Sequence, residues 1–525
     1  MPIEQRGVDT VPEAERTSGP RDLVSLLLGS NLCLGVIVFG WLPVSFGLGL
    51  WASVTSVIAG TLAGVAVTAP LALVSLRTAT NLSTSSGAFF GVRGRLVGSV
   101  VGLLLSLGYT ALTLWIGGDV MVGTLARLAG LPTGGVTHAV AYALLAAGTA
   151  VAAVYGYRLL LRLSKALAVG MTLLLALGLV AYAGDFTAGP VPDTPYLLGS
   201  FWPTWLLSAV AAGLSGPVAF ITLLGDYTRY VSPARHSDRA VLRATCLGLL
   251  VGLLVPQLFG TFTALAARGG LDYAGPLVAA SPAWYLVPLL LAATAGSVGN
   301  AGLMLYSMGL DLDAILPRAT RARATLVVAG VATAFVFLGH FTSDAQTAMT
   351  SFVLLLTAIG TPWAVITLIG HVRCAGTYDP EALQVHNRRS RGGRYWFSAG
   401  WHPRATASWA IGAGVGLAAV STPLYEGPLL ALTGGIDCSF VLSGAVGGAL
   451  YAILTPGRTA AGDALADGHG PAGGNPPVHE DAPVRADAPV DGHAPADGTL
   501  TARGREGRPE AAPGAVPVAR DGAGS

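Results

Sequence analysis

The chain has 525 residues, 52% of them hydrophobic and only 11% charged, with a formal net charge of +2. That balance is too apolar and too sparsely charged for a soluble domain of this length. The arginines are scattered over short segments rather than gathered on one face, so the charge is no nucleic-acid footprint.

A bilayer-crossing helix needs about 20 apolar residues. In chain order, such runs predict spans at Leu23–Phe46, Leu50–Leu76, Leu96–Leu125, Val136–Tyr155, Leu159–Ala183, Phe201–Leu224, Val241–Ala266, Ala283–Leu310, Thr325–Phe341, Ala348–His371, Ala405–Pro423 and Phe440–Leu454. The fold class read from this pattern is an all-α polytopic membrane protein with twelve transmembrane helices. Of the 30 Lys+Arg, all but Arg127 and Arg268 fall in the two terminal tails or the even-numbered connections. Cytoplasmic loops carry the excess of positive charge, so both termini are predicted to be cytoplasmic.

Three parts are expected. Residues 1–22 are a polar, cytoplasmic N-terminal tail with no cleavable signal peptide apparent. Residues 23–455 form the twelve-helix domain. Residues 456–525 are rich in Ala, Gly, Pro, Asp and Arg, cannot bury enough surface to offset chain entropy, and are read as a disordered cytoplasmic tail. The long basic connection Arg373–Arg404 is read as charge that fixes topology and touches anionic lipid headgroups. Cys33, Cys246, Cys374 and Cys438 are widely separated, with no CxxC, so neither a disulfide nor a metal is expected.

Two predicted spans are irregular. The first contains Gly29-Ser30-Asn31-Leu32-Cys33-Leu34-Gly35, and the sixth contains Ala212-Gly213-Leu214-Ser215-Gly216-Pro217. Glycine and proline weaken helices. In lipid, a broken helix is tolerated only where the freed backbone groups face protein, water or a ligand. Breaks five spans apart point to an inverted five-helix repeat with a central binding site. The plainer alternative is that small residues let helices pack closely.

No soluble-enzyme motif is present: no HExxH, no P-loop and no Gly-x-Ser-x-Gly in a strand-turn-helix setting. Ionisable residues within the spans are few. Asp119 sits about ten residues outward of the middle of the third span, roughly 15 Å at helical rise, and is read as interfacial. Asp226 and Arg229 lie at the cytoplasmic end of the sixth span, and His340 and His371 at span ends. The midplane therefore lacks an evident carboxylate, which favours a sodium site built from carbonyls and hydroxyls over a buried acid relay. Polar groups near the midplane are Asn31, Thr110, Thr113, Ser215, Thr294, Ser297 and Asn300. Each alone reads more simply as an interhelical hydrogen bond. Tyr109 and Trp115 could pack, or could stack a planar ring.

Four passages resemble the nucleobase:cation symporter-1 family, the cytosine, purine, allantoin and hydantoin permeases. They are Arg6–Arg16 before the first span, Gly225-Asp226-Tyr227-Thr228-Arg229-Tyr230 after the sixth, Leu305–Leu310 at the end of the eighth, and Gly434–Phe440 approaching the twelfth. The resemblance implies a leucine-transporter-like 5+5 inverted repeat plus two helices, with a planar heterocycle bound between spans one, three, six and eight. It implies Tyr109 as the stacking aromatic, Thr113 one turn later, and Asn300 as the span-eight asparagine. Asn31, Gly216 and Phe220 complete the implied substrate site. Relatives place a second aromatic where this chain has Pro217, and Phe220 is the nearest aromatic to replace it. The implied sodium ligands are Thr294, with Ser297 as its backup, and carbonyls of span one near Gly29–Leu34, those of Gly29 and Leu32 among them.

The expected function is a secondary active symporter that imports cytosine, a purine or a related heterocycle with Na+ or H+. No other cofactor, no nucleic-acid partner and no catalytic residue is expected, and a monomer should suffice. The expected location is the plasma or inner cell membrane. A carrier of amino acids or other small organic solutes on the same fold is the alternative. A channel would want a charged ring or carbonyl filter, and a membrane enzyme a midplane cluster of acids and histidines.

Overall fold

A computed structural model describes residues 4, 6–270, 272–316, 320–342, 345–422 and 424–456. The predicted C-terminal tail, apart from Pro456, lies outside the described residues. Among the described residues the regular structure is helical, and each of the twelve predicted apolar runs carries helix.

The first run is a pair, α1 (Pro20–Asn31) and α2 (Leu34–Ser45), bent by 62° at the junction. It is followed by α3 (Leu50–Thr68), α4 (Leu96–Ala129), α5 (Gly135–Tyr155) and α6 (Tyr157–Tyr182). The sixth run, α7, begins as Phe201–Ser208, passes through a π-helical stretch at Ala209–Leu214 and ends in Ser215–Val218. Then come α8 (Asp238–Ala267), α9 (Ala283–Ile315), α10 (Arg321–Thr342), α11 (Ala345–Arg373), α12 (Pro403–Ala419) and α13 (Ser439–Leu454). Among the described residues eight helices are long and apolar enough to cross a membrane, nine with the bent pair taken as one span. α13 is apolar but shorter.

Local chemistry sets several boundaries. The α5–α6 joint is Gly156 at φ 88°, a conformation that side chains resist. α4 stops at Gly130 in the left-handed region, a common helix terminator. Ser237 caps α8 by accepting from the amide of Ala240.

Burial orders the helices. In its most apolar stretch α4 is 78% buried, against 28% for α6, so α4 runs through the centre and α6 on the rim. Small residues bring backbones together, as expected where lipid supplies no hydrophobic drive between helices. Gly40 of α2 lies on the carbonyl of Gln257 in α8, and Gly260 of α8 on the carbonyl of Ile37. α3 packs on the π-helical stretch of α7, where Gly213 meets the carbonyl of Val57.

The N-terminal segment packs against the helices. Val8, Val11 and Arg16 are buried. The segment crosses the end of the bundle that carries the basic connections, and this is called the basic end below.

Candidate substrate and ion site

The α1–α2 junction is a true break. Cys33 is extended at φ −144°, ψ 162°, and its amide donates to Asn31 O rather than one turn back. The freed groups face protein: Asn300 of α9 donates through Nδ2 to Ser30 O at 2.9 Å. Thr113 of α4 donates to Asn300 Oδ1 at 2.9 Å, and Ser297 donates to Thr113 O at 3.3 Å. One amide thus joins α1, α4 and α9. Asn31 Nδ2 donates to Leu27 O at 2.7 Å, while Asn31 Oδ1 and Ser30 Oγ are buried with no protein partner. Two orphaned oxygens beside a broken helix are the kind of group a ligand or ion satisfies.

Tyr109 lies one turn from Thr113 on α4. Its hydroxyl donates to Ser215 O at 2.7 Å, linking α4 to the end of the α7 distortion. Its ring neighbour is Phe39 of α2, with centroids 6.0 Å apart. Phe220 is fully buried in the turns that follow α7, and among the described residues no ring contact joins it to Tyr109. Phe39, not Phe220, is therefore the aromatic that the fold sets against Tyr109. Gly216 faces α8, where a Cβ would lie 3.2 Å from Gln257 Nε2.

The implied ion ligands divide. Gly29 is wedged against the Ser164 carbonyl of α6, leaving no room for a side chain. Leu32 is fully buried at the break, its amide bonded to Leu28 O at 3.2 Å. Ser297 reaches the Thr113–Asn300 group. Thr294 does not: its hydroxyl donates to Leu290 O and Leu291 O of its own helix, at 2.9 and 3.3 Å, and it is only half-buried. The cause is a π-helical turn at Ala292–Gly296. A π turn shifts the register of what precedes it, and Gly296, not Thr294, meets Cys33 at the break.

Two groups escaped the sequence reading. Gln257 of α8 is fully buried; it donates to Ala212 O at 2.9 Å and accepts from Thr61 of α3 at 3.2 Å, so it ties the α7 distortion to its neighbours. A lone glutamine beside Pro256 in an apolar run was the available signal. The second group surrounds Asp119. Tyr142 donates to Asp119 Oδ1 and lies 2.8 Å from His340 Nδ1. The His138 and His340 rings stack at 4.9 Å. Asp119 is thus one of four polar groups from three helices.

The basic end is a charged clamp. Glu4 accepts from Tyr230 at 2.8 Å, Tyr306 at 3.0 Å and the Tyr157 amide at 2.7 Å, with Arg229 at 3.5 Å. Arg229 donates to Gly7 O at 2.6 Å and to Tyr306 at 2.8 Å. Arg16 donates to Leu76 O, Val231 O and Arg229 O. Tyr230 stacks on Tyr157 at 4.2 Å. The hydrogen bond from Arg6 holds the Glu15 carboxyl below the usual range. In the basic connection, burial beside Arg95 and Arg93 pushes the His386 imidazole down to about 4, so the charge of that loop comes from its arginines.

With its broken, centrally packed helix pair inside a bundle of apolar helices, the chain is a multi-pass membrane protein of a permease class, as its family shows. Residues 10–447 match the family described as permease for cytosine/purines, uracil, thiamine, allantoin, and the chain belongs to that family. Among curated relatives, a protein named purine-cytosine permease YxlA of Bacillus subtilis is 23% identical over 476 residues, covering 87% of this chain and 97% of its own. The purine-cytosine permease fcyB of Emericella nidulans is 24% identical, over 86% of this chain and 88% of its own. Among solved structures, Mhp1, a nucleobase-cation-symport-1 family transporter closed on bromovinylhydantoin, superposes with a TM-score of 0.63 at 17% identity, covering 88% of this chain and 99% of its own. Mhp1 facing inward gives 0.60, and a Na+-coupled sialic acid symporter 0.55. At these identities the structural likeness speaks for the fold alone.

Proposed function

We propose that the chain is a twelve-span symporter with a 5+5 inverted repeat plus two helices, importing cytosine, a purine or a related planar heterocycle by alternating access. The observation that supports this most is the Thr113–Asn300–Ser30 junction beside the Tyr109 ring. An amide offers both a donor and an acceptor, which suits the edge of a nucleobase, and an aromatic face suits its plane. In this reading a substrate replaces the hydrogen bonds that Asn300 now makes to Thr113 and Ser30.

The coupling ion is Na+ or H+. For sodium, Ser30 Oγ, Asn31 Oδ1 and the carbonyls of the break are the donors of suitable hardness, with Ser297 nearby. Thr294 is no longer among them. The basic end is the cytoplasmic end, on the partition of arginines, so both termini lie inside the cell; the residues after Pro456, whose composition offers no apolar face to dock, are dispensable for transport.

Uptake of radiolabelled bases and hydantoins into cells lacking their own permeases, with sodium or choline as the cation, tests the reading. Saturable uptake of at least one base is expected; uptake of none, with the protein in the membrane, contradicts it.

A further inference from the structure

The connection Arg373–Arg404 packs back onto the basic ends of α4 and α9. The Val92 amide donates to Tyr395 O at 3.1 Å, and Arg95 donates both to Asn387 Oδ1 and to Ala314 O of α9. Between these parts lies a cavity of about 450 Å³. Its wall carries three guanidiniums and no carboxylate: Arg93 from the segment before α4, and Arg389 and Arg391 from the connection. Arg93 is held in place. Its amide donates to Gly400 O at 2.7 Å, its stem lies where a Cβ on Gly400 would come within 2.7 Å of Cγ, and its guanidinium sits over the Trp396 ring at 5.3 Å. Among the described residues the exposed Arg389 and Arg391 make no side-chain hydrogen bond or ion pair, whereas Arg388 beside them is matched by Glu381. Burial and the neighbouring Arg95 and Arg93 keep His386, also in the wall, uncharged at neutral pH. Ile315, the last residue of α9, and the exposed Leu316 supply an apolar part.

Topology asks for positive charge in a connection, not for its convergence on one cavity. Guanidiniums gathered without a counter-charge repel one another, and an anion that bridges them relieves the repulsion. The planar fork of arginine matches the oxygens of a phosphate. We propose that this cavity binds the phosphate headgroup of an anionic phospholipid, with Arg93, Arg389 and Arg391 as its partners and Ile315 and Leu316 against the start of its acyl chains. The apolar wall argues for a lipid over a soluble phosphate. α9 is a membrane-spanning helix, so its last residue marks where it leaves the bilayer, and an indole such as Trp396 is at home at that level. Basic pockets between spanning helices on the cytoplasmic side suit such headgroups. A bound lipid would tie the start of α4 to the end of α9, the helices that carry Thr113 and Asn300. The assignment of the leaflet rests on the partition of arginines; the site itself does not depend on which solute is carried.

The test uses purified full-length protein, stripped of lipid in a neutral detergent and without any base, so it succeeds or fails independently of the uptake panel. Tm is followed while short-chain phosphatidylglycerol, short-chain phosphatidylcholine or glycerol phosphate is added. A ligand that binds the folded state raises Tm with its concentration. Phosphatidylglycerol should do so, and the other two should not. Each arginine beside an anionic lipid is worth about a fivefold gain in binding. The double variant Arg389→Gln/Arg391→Gln, changed at exposed positions, should therefore need about twentyfold more phosphatidylglycerol for the same rise. Arg239→Gln/Arg404→Gln removes equal charge from exposed positions outside the cavity and should respond as the wild type does. No rise with phosphatidylglycerol overturns the proposal, as does a rise that Arg389→Gln/Arg391→Gln leaves unchanged. Equal losses in the two double variants would reduce the effect to net charge and contradict a built site. A matching rise with glycerol phosphate would assign the cavity to a soluble phosphate, and one with phosphatidylcholine would remove the headgroup charge; either contradicts the proposal.

Discussion

Around Asn300 the helices are joined by neutral hydrogen bonds, whereas at the basic end Glu4, Arg229 and Arg321 meet as ions in a largely buried clamp. The difference is physical. A neutral amide junction forms and breaks at a net of about 0.5–1.5 kcal/mol per hydrogen bond, so a ligand of modest size can replace it. Breaking a buried ion pair leaves an uncompensated charge, at about 3–5 kcal/mol. The first arrangement suits recognition of an uncharged ring, and the second suits a closure that holds until water can enter.

The comparison can be broken most forcefully at Arg229. Arg229→Ala takes one of two guanidinium partners from Glu4 and leaves Gly7 O without its donor, and should destabilise the protein by about 3 kcal/mol, read as a large drop in Tm in detergent with loss of uptake. A Tm within a few degrees of wild type would show that the clamp holds little. Asn300→Ala should cost about 1–3 kcal/mol in substrate binding, because the ring edge is left unpaired, while the fold survives. Measured affinity and Tm together separate the two effects. Tyr109→Phe removes only the hydroxyl donated to Ser215 O and should change affinity by about 1 kcal/mol, whereas Tyr109→Leu also removes the ring face and should lose more. Equal effects of the two would remove stacking from the account. Thr294→Ala, at a half-buried hydroxyl bonded to its own helix, should stay within about 0.5 kcal/mol of wild type, with the sodium dependence of uptake unchanged.

Much of the architecture was legible because lipid simplifies the code. Every apolar run long enough to cross carries helix, and Gly29-Ser30-Asn31, small and polar residues gathered mid-span, marked the break between α1 and α2. The meeting of Thr113 and Asn300 was approachable, as both fall near the middle of their runs. Thr294 misled because helical spacing assumes a uniform register, and the π turn at Ala292–Gly296 breaks it. Phe220, the aromatic nearest to Pro217 in sequence, misled in a similar way: turns at residues 219–223 interrupt the helix, so nearness in sequence does not find the face that meets Tyr109. Gln257 was overlooked for another reason. A lone glutamine beside Pro256 signals a buried polar group, but its partners Thr61 and Ala212 are far away in sequence, and nothing local announces them.

The central claim is that the neutral junction at Asn300 recognises the edge of a planar heterocycle. Equilibrium binding of cytosine, adenine, uracil and a hydantoin to purified wild type and Asn300→Ala tests it most directly, with Tm recorded for both. The account predicts that at least one of these binds the wild type and loses about tenfold to a hundredfold in affinity in the variant, at little change in Tm. Binding that is unchanged by Asn300→Ala, in a variant that folds, would contradict it.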